Sequence, residues 1–144
     1  MIRLCKFEME HLEKFDHLDY GSDIKADMQY NIDMPNRTAF SLFRGDEVIA
    51  LAGVSDFRPG VGEVWVIKGS KIPEFKVEFF KTIYRLVHGF ALNRAGYHRL
   101  EMAVDCEWEE GPKWAEKLGF EFMGISKAYD LNYKDHKIYQ LVRY

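Results

Sequence analysis

Cysteine is scarce in this chain: Cys5 and Cys106 are its only two sulfhydryls in 144 residues. Two cysteines cannot build a disulfide framework, and theirs is not a metal-ligand spacing. A reducing cytoplasm is the compartment this suggests. Proline is limited to four residues, and no Pro/Gly-rich stretch, low-complexity segment or internal repeat divides the sequence. The expectation is one domain over residues 1–144, a length that buries a sizeable core. No apolar run approaches the roughly 20 residues needed to span a bilayer, so no membrane partner is expected. Met1-Ile2-Arg3-Leu4-Cys5-Lys6 lacks the long apolar core and small-residue cleavage site of a secretory signal. Positive charge is not in excess either. Twenty Lys and Arg stand against 23 Asp and Glu, a net charge of −3, so nothing overall draws the chain to nucleic acid.

What the chain has is apolar and aromatic. A hydrophobic fraction of 47%, with eleven Phe, eight Tyr and three Trp, indicates a packed globule rather than a disordered chain. Residues 2–7 alternate, with Ile2, Leu4 and Lys6 on one side of a short first strand. Residues 8–33 read as two helical pieces broken around Tyr20-Gly21-Ser22, with Ser22 or Asp23 capping the second. Thr38 to Phe43 and Val48 to Val54 form a hairpin across the turn Arg44-Gly45-Asp46-Glu47. A further strand, Glu63 to Lys68, follows the turn residues Arg58 to Gly62.

The longest periodic segment runs from Pro73 to about Ala95. Phe75, Phe79, Ile83, Leu86, Val87 and Phe90 recur at steps of three and four and mark one helix face. At roughly 1.5 Å per residue such a helix is about 34 Å long, enough to cross a sheet. Tyr97 to Val104 reads as a strand. A short helix then runs from around Lys113 to a glycine stop at Gly119. Strands at Phe120 to Ile125 and Lys137 to Val142 enclose a polar loop. The order predicts a mixed α/β (α+β) sheet protein rather than a βαβ repeat.

Two segments add a family likeness. Lys113-Trp114-Ala115-Glu116-Lys117-Leu118-Gly119-Phe120, with its "EKLGF" ending, and Ala95-Gly96-Tyr97-His98-Arg99-Leu100-Glu101-Met102-Ala103-Val104 resemble corresponding helix-glycine-strand passages of the GNAT superfamily of acyl-CoA-dependent N-acyltransferases. The resemblance implies a splayed, mostly antiparallel sheet flanked by helices. It implies an enzyme taking acetyl-CoA as acyl donor and a primary amine of a small molecule or protein as acceptor. A homodimer is a further expectation, and no metal is expected. Small GNAT-like proteins of bacteriophages, one family related to an internal virion protein, are similar in their diverged cofactor loops. That likeness would place the chain in the cytoplasm of a bacterial host. It also supplies the rival reading, a non-catalytic interaction or virion-associated module.

The resemblance places the coenzyme's diphosphate at the turn between the central strand and the long helix, here Ile67-Lys68-Gly69-Ser70-Lys71-Ile72-Pro73. This turn has one glycine where the family carries several. Lys68 and Lys71 could meet phosphate as point charges and Ser70 could donate a hydrogen bond, while Gly69 supplies a backbone N–H. A solvated turn is the ordinary alternative, and Pro73 removes one donor. Backbone donors around Val66 and Ile67 would hold the thioester carbonyl and pantetheine arm.

Amine acylation needs a base, and Glu63 stands where the family often places its carboxylate, on the face shared by Trp65 and Ile67. A water-exposed strand-entry glutamate is the more ordinary reading. Asp56 and Asp105 are alternative bases. Ala115 occupies the position of the family's tyrosine acid, and Trp108 that of a common asparagine. Tyr129 or Tyr133 could substitute for the acid. Cys106 lacks nucleophile partners, and His88 and His98 read as structural. Glu107, Glu109 and Glu110 could meet a cationic amine or merely form a solvated turn. Trp65, Trp108 and Trp114 read as core or groove walls.

Overall fold

Apolar residues packed on both sides of a central strand organise the molecule, whose computed structural model describes residues 1–16, 24–35, 37–130 and 132–144. That strand is β3 (Glu47–Arg58), buried without interruption from Val48 to Ser55. It pairs antiparallel with β2 (Arg37–Arg44) on one side and with β4 (Val61–Lys68) on the other. A strand buried on both faces needs a layer over each. The sheet continues through β1 (Arg3–Lys6), β5 (Arg99–Asp105), β6 (Glu121–Ser126) and β7 (His136–Val142), in the order β1-β2-β3-β4-β5-β7-β6. Every neighbouring pair is antiparallel except β4 with β5, which run parallel. The mixed, mostly antiparallel sheet matches the expected fold class.

One face carries α1 (Ile24–Asp33) and a 3₁₀ turn at Met9–Lys14, which bury Phe7, Phe15, Met28, Phe43, Val48 and Leu51. The expected first helical piece is thus only this turn. The expected break at Tyr20-Gly21-Ser22, with capping by Ser22 or Asp23, lies outside the described residues. On β1, Leu4 and Lys6 are exposed although Ile2 is buried, because β1 is an edge strand. The alternation expected there therefore does not sort buried from exposed.

The other face carries the long helix and α3 (Gly111–Leu118). The long helix begins as a 3₁₀ turn at Ile72–Phe75, becomes α2 (Lys76–Tyr84), and continues as a π-helix over Arg85–Arg94. Its expected apolar face is the buried one: Phe79, Ile83, Leu86 and Val87 enter the core, with Phe75 and Phe90 packed against it. The wider turn is visible in the burial. Leu86 and Val87 are followed by Ala91 and Leu92, five positions on, the i→i+5 spacing of a π-helix. Among the described residues no helix is long and apolar enough to cross a membrane.

α3 ends at Gly119, whose φ of +99° is a left-handed conformation that a side chain resists. Gly119 N–H donates to Glu116 O and Phe120 N–H to Ala115 O, both at 3.0 Å, a Schellman closure that turns the chain directly into β6.

Candidate active site

β4 and β5 diverge. Their ladder joins Val61 with Arg99, Gly62 with Leu100 and Glu63 with Glu101, and goes no further among the described residues. Past that vertex the strands open a cleft of about 850 Å³, bordered by Glu63 to Lys68 on β4 and Met102 to Asp105 on β5. Because successive strand side chains point to opposite faces, the cleft has two unlike walls. On the α1 side Glu63, Trp65 and Ile67 meet Tyr30, Asn31 and Arg37. On the α2 side Val64, Val66 and Lys68 meet Phe79, Ile83, Trp108, Trp114 and Leu118. One wall sets Glu63, Asn31 and Arg37 among aromatic and apolar residues; the other is an apolar trough with Lys68 as its charge.

Glu63 sits at the vertex. Tyr129 Oη donates to its Oε2 at 2.9 Å. Burial holds the Glu63 carboxyl above its usual range; the Tyr129 bond opposes this, and neighbouring Glu101 adds to it. Arg37 and His136 pull weakly the other way. Glu63 is therefore only partly exposed, unlike the solvated strand-entry glutamate that is its more ordinary reading. Burial, then the Glu63 carboxylate, pushes the Tyr129 hydroxyl upward, so it remains a donor.

Tyr129 reaches the cleft from the loop between β6 and β7. That loop is tied by Tyr129 N–H to Lys134 O at 2.8 Å, and Asp130 Oδ1 accepts the N–H groups of Asn132 and Lys134 at 2.9 and 3.0 Å. His136 Nε2 lies 3.1 Å from Asp130 Oδ2, and the His136 ring packs 4.7 Å from that of Tyr129. Tyr133, the other candidate acid, is 82% exposed and does not line the cleft. Asp105, Asp130 and His136 bring one donor atom each within 4.8 Å of one another. Lys134 Nζ already stands 3.8 Å from Asp105 and 3.0 Å from Glu107, placing a cation beside that group.

The six residues expected to hold the coenzyme divide into two sets. Val66, Ile67 and Lys68 line the cleft. The Lys68 ammonium lies 3.7 Å above the Trp108 ring, and burial lowers its proton affinity while Glu110 and Asp105 oppose that. Gly69, Ser70 and Lys71 border a different hollow, beside Phe15, Asp16, Asp46 and Glu47. There Gly69 N–H donates to Ile49 O and Ser70 N–H to Asp16 O, both at 2.9 Å. Ser70 Oγ bonds Asp16 Oδ2 at 2.6 Å, and Lys71 Nζ reaches both Glu47 oxygens at 2.7 and 2.6 Å.

The remaining candidates are dispersed. Asp56 accepts the Tyr97 hydroxyl away from the cleft, whereas Asp105 borders it. Ala115 is fully buried in the core, so its direction is inward rather than toward the cleft. His88 Nε2 contacts Leu118 O at 2.6 Å and its ring stacks on Tyr84, a structural role. His98 is exposed. Glu107 borders the cleft, and Glu110 pairs with Lys76 at 3.2 Å. Arg37 was not among the expected site residues, nor were Phe79 and Ile83 as a trough wall. No motif marks Arg37, and the apolar periodicity that marks Phe79 and Ile83 does not distinguish cleft from core.

No protein-family model matches the chain, and no curated protein matches it. Solved structures do. A spermidine N-acetyltransferase chimera of SpeG from Vibrio cholerae and hSSAT superposes with a TM-score of 0.78 at 15% identity, covering 98% of this chain and 95% of that one. The N152L mutant of the Vibrio cholerae SpeG spermidine N-acetyltransferase gives 0.75 at 14%, covering 99% and 94%. A T. thermophilus protein assigned as an acetyltransferase gives 0.77 at 18%, covering 99% and 86%. These superpositions establish the fold, which is the GNAT acetyltransferase fold, and identities this low leave the chemistry to the residues of the cleft.

Proposed function

We propose that the cleft transfers an acetyl group from acetyl-CoA to a primary amine of a small molecule or protein, within a single domain spanning residues 1–144. The observation that carries this reading is the position of Glu63. A carboxylate with raised proton affinity stands at the vertex of a cleft whose other wall is an apolar trough. The trough suits the pantetheine arm: the partly exposed rings of Trp108 and Trp114 offer it uncharged surface over the buried Phe79 and Ile83, and 850 Å³ lies in the usual range of small-molecule sites. The Gly69–Lys71 turn does not suit a diphosphate, because the Gly69 and Ser70 N–H groups and the Ser70 and Lys71 side chains are engaged within the protein.

Glu63 accepts the proton that an arriving ammonium must lose, directly or through water. The freed amine nitrogen forms a bond to the thioester carbonyl carbon, and the carbon–sulfur bond breaks. The backbone N–H of Val66, which alternates to the open edge of β4 while those of Ile67 and Gly69 face β3, holds the carbonyl oxygen as charge develops. The departing thiolate is a good leaving group and takes its proton from water. Tyr129 stays protonated and fixes the carboxylate of Glu63, and Lys68 marks the outer end of the trough.

Spermidine, named for the Vibrio cholerae proteins, belongs in the first acceptor panel. The test is thiol release from acetyl-CoA across diamines, polyamines and lysine peptides. Amine-dependent release supports the reading, and no release with no acetyl-CoA binding at millimolar concentration defeats it. A second reading, an interaction module, is favoured by Phe122, Met123 and Ile125, which lie 54%, 49% and 54% exposed on edge strand β6. Acetyl-CoA binding without turnover on any amine would favour that reading over catalysis.

A further inference from the structure

We infer that the cleft recognises its acyl donor by the pantetheine arm and one phosphate, and does not read the diphosphate-adenosine end of CoA. This rests on the acetyl-transfer reading above and narrows it. A diphosphate cradle needs several backbone N–H groups converging on empty space, with positive charge nearby. Here the N–H groups of Gly69, Ser70, Ile72 and Glu74 donate to the carbonyls of Ile49, Asp16, Gly69 and Lys71. Pro73 has no N–H to give. The side chains are committed as well, Ser70 to Asp16 and Lys71 to Glu47. The surrounding hollow is bordered by four carboxylates, Glu13, Asp16, Asp46 and Glu47, against two ammonium groups, Lys14 and the Glu47-paired Lys71, a balance that disfavours a phosphate.

These bonds are built into the fold. Gly69 is buried, and a Cβ placed on it would meet Ile49 O at 2.5 Å. The turn is thus pressed against β3, on the far side from the trough. Lys68, one residue earlier, points the opposite way. Its ammonium over Trp108 stands among the trough residues, where it can meet one phosphate as a point charge. The arm therefore finds apolar walls and the Lys68 ammonium, while the nucleotide beyond it meets a turn whose Gly69, Ser70, Ile72 and Glu74 N–H groups are already donated within the protein.

The experiment titrates the protein with CoA, 4′-phosphopantetheine and pantetheine, followed by calorimetry and by the fluorescence of the trough tryptophans. CoA and 4′-phosphopantetheine should bind within about threefold of each other, and pantetheine roughly tenfold or more weaker, the scale of one charge-assisted contact. Lys68→Met, which keeps the aliphatic stem over Trp108, should bring 4′-phosphopantetheine down to the level of pantetheine. Lys71→Ala should change none of the three. Acetyl-4′-phosphopantetheine should then serve as a donor with a KM close to that of acetyl-CoA. CoA binding more than about tenfold tighter than 4′-phosphopantetheine, or a loss of CoA affinity in Lys71→Ala, overturns the inference and leaves acetyl transfer standing. If none of the three ligands binds at millimolar concentration, the acetyl-transfer reading falls with it.

Discussion

Tyr129 Oη donates to Glu63 Oε2 at 2.9 Å, and so a loop near the C-terminus sets the state of a carboxylate on the central part of the sheet. The bond stabilises the ionised form and lowers the proton affinity that burial raises. A base works only when deprotonated, so activity rises with pH through the Glu63 titration. Tyr129→Phe removes the lowering contribution and should move that rising limb to higher pH. The pH profile of kcat/KM checks this. An unmoved limb with a uniformly lower rate would mean that Tyr129 only packs.

Glu63 also links stability to pH. Its ordinary value is 4.5, and burial raises it in the folded protein. The folded state then holds its proton more tightly than the unfolded state, so stability declines as pH rises from about 4.5 through the folded value. Glu63→Gln retains an acceptor for Tyr129 and carries no charge to desolvate. The variant should melt above the wild type at pH 7 to 8, with the advantage shrinking toward pH 4. Thermal melts at both ends decide it, and a wild type that is the more stable at neutral pH would contradict the account.

Ala115 tests the meaning of the departure from the family pattern. Its side chain is 0% exposed in the core formed with Leu118, Phe120 and Val104. Ala115→Tyr would force a ring into filled space and should destabilise by about 3 kcal/mol or more, with no gain in acetyl transfer at any pH. Chemical denaturation and the thiol-release assay measure the two halves. A stable and faster variant would show that this position faces the cleft.

Trp114 joins the trough to the core, its ring 5.3 Å from Phe79 and 5.4 Å from Phe80 in edge-to-face contact. Trp114→Ala should cost about 2 kcal/mol in denaturant unfolding, below the range for a fully buried tryptophan because this one is partly exposed. It should also weaken 4′-phosphopantetheine and pantetheine by the same factor, since it removes arm contacts and no phosphate contact. Unequal losses would place the tryptophan elsewhere in the recognition.

Much of the fold was legible because local pattern and tertiary position agree. Phe79, Ile83, Leu86 and Val87 are spaced for one face and bury on it, and Gly119 stops α3 where a left-handed residue is required. The π-helix over Arg85–Arg94 was not legible. Its wide turns keep apolar residues buried at a spacing that a 3.6-residue reading passes over. Of Glu63 and the residues expected to hold the coenzyme, only those on the strand border the cleft. Glu63, Val66, Ile67 and Lys68 fall in the cleft, but Gly69, Ser70 and Lys71 are turned away by Asp16 and Glu47, partners distant in sequence. Tyr129 meets Glu63 across 66 residues of separation, a pairing that no spacing rule encodes.

The most direct measurement is thiol release from acetyl-CoA in the presence of the amine panel, with Glu63→Gln compared against the wild type at equal, verified folding. Release should depend on the amine and fall by roughly 10²-fold or more in Glu63→Gln, the scale of a lost general base, with acetyl-CoA affinity retained. Equal rates in the two proteins, or release that ignores the amine, would contradict a base at the vertex of this cleft.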